Sequence, residues 1–266
     1  MPLPALDILT ILPAFALVLF RVSGMIMTAP LYGSPVIPMR IRAALTFTLT
    51  LVTFPLLRNQ LPQAATFADV VSGAVGELMI GAAIGLALTM MLLAGEVAGT
   101  LIGQQAGLSL GEVSNPLQEH QASVLGQIYT TVLTLVFLIA GGHRAMIAAV
   151  MDTFAIIPVM TMRDTGSIVL LLTETLTAAF VAGIRIAGPA MIALFLAAIT
   201  LAVLSRAMPQ LNILTIGFTT KVVLALGVAW LSLTLCEGLL LQFVADGLDI
   251  VRASFHLPPS RIRIAS

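Results

Sequence analysis

Three histidines and one serine string are the residues with a prospect of catalysis, and their spacing argues against it. An intramembrane serine protease needs a nucleophile in G-x-S-G within reach of a histidine base. Arg21-Val22-Ser23-Gly24 lacks the leading glycine. His143 follows Gly141-Gly142, His120 and His256 lie in polar stretches, and no H-E-x-x-H or paired-histidine spacing offers a metal site. A G-x-x-x-x-G-K-S/T phosphate loop is also missing, so the chain does not itself hydrolyse ATP. Cys236 is the only cysteine and sits in an apolar run, which rules out a disulfide or thiolate cage within the chain. The expectation is a protein that is not an enzyme and needs no cofactor or metal. Twelve acidic residues balance twelve basic ones, so no long-range field points to nucleic acid.

The chemistry that remains is electrostatic and local. Arg21, Glu77, Glu96, Glu174, Arg185, Lys221 and Glu237 sit in or beside apolar runs. A charge facing lipid costs about 2.5 kcal/mol or more, so these side chains must face protein or water. The first five are candidate buried charges, lining a pore or forming ion pairs between or within chains. Lys221 and Glu237, near segment ends, also suit snorkelling.

The elements that position these charges belong in lipid. The chain is 59% hydrophobic and 9% charged, against about 25% charged residues in a soluble domain. A bilayer-spanning helix needs about 20 apolar residues, and about six segments qualify or come close: 8–29, 43–57, 69–112, 124–140, 168–205 and 213–241. The N-terminus lacks a basic region, and Arg21 interrupts the first run, so this segment reads as a retained membrane helix. As one helix, 69–112 would reach about 60 Å, so it must fold back, break or project beyond the bilayer. Segment 168–205 is also overlong, and Pro189 cannot donate to the carbonyl of Arg185, which predicts a kink or hairpin bend there. A short polar tail carries Arg261 and Arg263. The fold class is an all-α integral membrane protein of helical hairpins with kinked or broken long helices, residues 1–266 forming a single membrane domain.

Glycines 95, 99, 103, 107 and 111 recur every four residues, a bare strip that lets a neighbouring backbone approach closely. Gly95, Gly99, Gly103, Gly107 and Gly111 are therefore candidate subunit-packing residues, with packing inside the chain as the alternative. Gly81 and Gly85 repeat the pattern upstream. Two polar stretches interrupt the apolar runs. Arg206, Pro209, Gln210 and Asn212, leading on to Lys221, form a candidate polar loop in which the Arg206 guanidinium can hold a carboxylate or helix-end carbonyls and Pro209 stiffens the backbone. In 108–121, Gly111 and Pro116 make a continuous helix unfavourable, leaving a loop.

Specific strings carry a family resemblance. Arg21-Val22-Ser23-Gly24 with Thr28-Ala29-Pro30, Pro38-Met39-Arg40-Ile41-Arg42-Ala43, and Gly95-Glu96-Val97-Ala98-Gly99 leading into Gly103-Gln104-Gln105-Ala106-Gly107-Leu108 resemble the FliR family of flagellar export proteins. The most specific match is Leu204-Ser205-Arg206-Ala207-Met208-Pro209-Gln210-Leu211-Asn212, continuing through Ile216-Gly217-Phe218 to Lys221. Asn115-Pro116 and Thr219-Thr220 depart from the Asp-Pro and Pro-Leu common in the family. The resemblance covers nearly the whole chain. It implies a structural, pore-forming subunit of the flagellar type III export gate in the bacterial inner membrane and flagellar basal body. FliP-like and FliQ-like subunits, an FlhB-like protein, unfolded export substrates and membrane lipid are the partners it implies. The resemblance also implies that the loop containing Gly111, Glu112, Asn115, Pro116 and Glu119 is a pore plug. The injectisome counterpart, SctT, is the nearest alternative, although Gly141-Gly142-His143 looks more like the flagellar branch. A secondary transporter is a rival from another class.

Overall fold

A computed structural model of the chain describes residues 4–34, 36–57, 61, 67–108, 123–159, 166–208, 213–235, 237–255 and 257. Among the described residues the regular secondary structure is helical, with no strand. The helices are α1 (Pro4–Thr28), α2 (Met39–Leu57), α3 (Phe67–Ala106), α4 (Val124–Ile139), α5 (Gly142–Ile156), α6 (Gly166–Ala207), α7 (Ile213–Leu235) and α8 (Glu237–Ser254). By length and apolarity, four helices can cross a membrane (α1, α2, α3 and α6), or five spans if α4 and α5 together count as one.

Local signals explain the helix ends. Arg42, in the first turns of α2, donates to the carbonyls of Ser34 and Ile37 and closes the α1–α2 connection. Gly107 adopts φ +84° immediately after α3, and its N–H donates to the Gln104 carbonyl; a side chain would be strained there. Gly141, at φ +75°, separates α4 from α5, so segment 124–140 is one arm of a broken apolar run.

Three readings of the long segments are corrected or narrowed. Helix α3 neither folds back nor breaks; its 40 residues are continuous, about 60 Å at 1.5 Å per residue, so it projects beyond a bilayer core. Helix α6 runs unbroken for 42 residues with Pro189 inside it, so the hairpin bend expected there does not form. A proline removes one backbone bond, and a long apolar helix retains the others. The expected final segment 213–241 is helical where it is described, as α7 to Leu235 and α8 from Glu237, with residue 236 outside the described residues, and α8 runs on to Ser254, into the stretch read as a polar tail.

The chain divides into two compact units: Met1–Met91, Gly141–Leu176 and Ala245–Ser266 form the first, and Leu92–Ala140 with Thr177–Val244 the second. The first buries Leu17, Met25, Ile84, Leu88, Phe154 and Leu248, and Phe15 packs edge-to-face on Phe47 and Phe54, at 5.8 and 5.4 Å between ring centres. The second buries Ile102, Tyr129, Leu133, Phe137 and Leu194. In α2 the usual pattern is inverted: Thr46, Thr50 and Thr53 are buried, while Phe47, Leu51, Val52 and Leu56 are exposed. Each of these threonines donates to a carbonyl three or four residues back, which satisfies it inside and leaves the outer face to lipid.

Candidate functional site

Two of the five candidate buried charges meet at the centre of the first unit. Arg21 of α1 is completely buried, and its Nε donates to Glu77 Oε2 of α3 at 2.7 Å. Both Nη atoms also donate: Nη1 to Thr153 Oγ1 of α5 at 3.1 Å and Nη2 to the Ile157 carbonyl at 3.2 Å, while Cζ lies 4.0 Å from the centre of the Phe154 ring. One planar fork thus ties α1, α3 and α5 together, a task that a lysine's point charge does not match. The sequence showed Arg21 and Glu77 as charges but not as partners, since 56 residues separate them.

Close backbone packing surrounds the pair. A Cβ on Gly81 would strike the Arg21 carbonyl, one on Gly24 the Leu78 carbonyl, and one on Gly85 the Thr28 hydroxyl. Where α1 and α3 touch, Thr28 Oγ1 donates to the Ala82 carbonyl at 2.9 Å and Thr89 Oγ1 to the Thr28 carbonyl at 2.6 Å. Small residues and cross-helix hydroxyl bonds are how helices associate without a hydrophobic driving force in lipid.

Three glycines of the downstream strip pack inside the chain, the alternative that its spacing left open beside a subunit interface. A Cβ on Gly95 would meet the Tyr129–Thr130 backbone, one on Gly99 the Leu125–Gly126 backbone, and one on Gly103 the Ser123 hydroxyl at 2.8 Å. These three glycines therefore pack α3 against α4 and the residue before it within the second unit. Gly107 terminates the helix, and Gly111 lies outside the described residues.

The remaining candidates are dispersed. Glu96 is half-buried and lines a groove of about 380 Å³ with Gln127, Thr130, Thr131, Thr134 and Leu135. Glu174 and Arg185, expected to be buried, are exposed on α6, because only 22% of its apolar stretch is covered by this chain. Arg206 is exposed in the last turn of α6, where a cation complements the helix dipole, and Lys221 is half-buried in α7. Pro209, Gln210 and Asn212 of the polar loop lie outside the described residues, as do Glu112, Asn115, Pro116 and Glu119 of the plug. Sequence reasoning missed a second ion pair, Arg252 Nη2 to Asp152 Oδ2 at 2.6 Å, which joins α8 to α5. Its only sequence signal was two charges on helices not foreseen to touch.

The geometry offers satisfied polar pairs and close helix packing, and comparison with known proteins agrees with that structural character. Residues 12–246 match the sequence profile described as "Bacterial export proteins, family 1". The flagellar biosynthetic protein FliR of Bacillus subtilis is 26% identical over 243 residues, covering 90% of this chain and 92% of that one. That of Escherichia coli is 32% identical over 201 residues, covering 75% and 76%. The Yop proteins translocation protein T of Yersinia pestis is 26% identical over 189 residues, covering 70% and 72%. With a profile match over most of its length, this helical membrane chain belongs to the bacterial export protein family that contains FliR and its injectisome counterparts.

Proposed function

We propose that this chain is a structural, pore-forming subunit of the flagellar type III protein export gate, placed in the bacterial inner membrane at the flagellar basal body. In this reading it assembles with FliP-like and FliQ-like subunits, receives an FlhB-like protein, and passes unfolded export substrates without chemistry of its own. The observation that carries the reading is the uncovered surface of α6, where Glu174 and Arg185 are exposed on an apolar helix of which 22% is buried. A charge is expensive against lipid, so neighbouring subunits or a water-filled channel must cover those positions. The relatives named FliR favour the flagellar machine over the injectisome, because their matches extend further along this chain. The plug assignment for 108–121 remains part of this proposal, resting on the family resemblance.

The test is complementation followed by purification. Expressed in a motile bacterium lacking its own FliR, the chain should restore swimming and co-purify in detergent with the FliP-like and FliQ-like subunits. Rescue of an injectisome mutant alone would assign it to the SctT branch. A lone monomer with solute-transport activity would make it a transporter.

A further inference from the structure

In the groove of the second unit, Glu96 of α3 faces Gln127, Thr130, Thr131 and Thr134 of α4, a helix without any charged residue. Among the described residues Glu96 forms no ion pair. Thr131 and Thr134 donate their hydroxyl protons to the Gln127 and Thr130 carbonyls, each at 2.7 Å, so their oxygens remain available as acceptors. The Thr130 hydroxyl is buried without a partner. The Glu96 carboxylate and the Thr131 and Thr134 oxygens are acceptors, and the Thr130 hydroxyl and Gln127 amide can each donate or accept, so this lining offers more acceptors than donors. The groove is not sealed: Gln127 and Thr131 are exposed, and Val124, Ile128, Leu135 and Ile139 leave an apolar stripe open along the same helix.

We infer that this groove receives a lysine or arginine side chain from a transmembrane helix of a neighbouring gate subunit. Lysine and arginine are donor-only groups and meet the acceptor-rich lining directly. A volume of about 380 Å³, against about 30 Å³ for one water, suits a long side chain with accompanying water better than a bare ion. The exposed stripe gives the partner helix an apolar surface to lie on, with the ion pair in its middle fixing register. A buried or rim charge of this kind selects partners more than it adds affinity.

This inference rests on the export-gate assembly proposed above, and the experiment separates the two. The full chain is co-expressed with FliP-like and FliQ-like subunits, carrying a photo-crosslinking residue at exposed Thr131. The expected adduct maps to a membrane helix of one of those subunits, within a turn of a lysine or arginine. Glu96→Lys should reduce recovery of that subunit by about tenfold or more, and changing the partner's basic residue to Glu should restore it. If Glu96→Lys does not fold, Thr131→Trp, which fills the groove from its exposed side, should produce the same loss. Adducts only to lipid or to a second copy of this chain overturn the inference, as does wild-type recovery of both variants. Stabilisation of the lone chain by sodium over choline that disappears in Glu96→Gln would assign the groove to a free cation and also overturn it. Failure of the wild-type chain to co-purify with either subunit would remove the assembly reading itself.

Discussion

Glu77 and Glu96 occupy the same helix, α3, and the chain treats them differently. Glu77 is 1% exposed and is held by an arginine whose other two nitrogens also donate hydrogen bonds. Glu96 is half-buried before hydroxyls and an amide that give it no counter-charge. The difference separates two kinds of intramembrane charge. One is completed when the chain folds; the other is left without a counter-charge, which the assembly proposed above would supply. Composition treats them alike, because each is a glutamate within an apolar run. Only long-range pairing tells them apart.

The largest expected effect breaks the completed site. Arg21→Leu leaves the Glu77 carboxylate buried without its counter-charge and the Ile157 carbonyl without its donor, a loss on the order of 3–5 kcal/mol. The variant should be degraded or aggregate on extraction. Glu77→Leu should behave similarly, whereas Arg21→Leu/Glu77→Leu should recover much of the yield, since an apolar pair often replaces a buried ion pair at little cost. Thermal melting in detergent checks the order. A double variant no more stable than Arg21→Leu alone would show that the guanidinium's bonds to α5 matter more than the charge pair.

Next in size is Gly99→Leu. Its side chain would enter the Leu125–Gly126 backbone, and overpacking of this kind costs about 1–3 kcal/mol or more. Because this contact lies within the chain, the lone protein should already lose its single sharp peak on size exclusion. A Gly99→Leu chain that melts like wild type alone but fails to recover FliP-like and FliQ-like subunits would return the strip to the interface role read from sequence.

That strip illustrates what was legible and what was not. Period-four glycines state that a backbone comes close, but the same spacing serves a neighbour in this chain or in another. Arg21 and Glu77 were identifiable as residues needing cover, while the choice of partner depended on α1 and α3 meeting across 56 residues. The apolar runs located most helices, because the requirement to satisfy the backbone in lipid is local. Of the kink or hairpin bend read from Pro189, the hairpin fails for the same reason: one missing bond does not end a 42-residue helix.

The smallest effect belongs to the Arg252–Asp152 pair, which resembles Arg21–Glu77 in chemistry and differs in exposure. Its oxygen is 2.6 Å from the guanidinium, yet the Asp152 side chain is 43% exposed, so water screens the attraction and rehydrates the carboxylate once the partner is removed. Asp152→Asn should therefore cost about 1 kcal/mol or less, and moderate salt should narrow the gap from wild type. Arg252→Ala should cost somewhat more, because the arginine side chain is 9% exposed and truncating it also removes buried methylene groups. The check is a double-mutant cycle by thermal melting at low and high ionic strength, with Arg21→Leu alongside. A salt-insensitive loss for Asp152→Asn as large as that for Arg21→Leu would mean that exposure does not separate the two ion pairs.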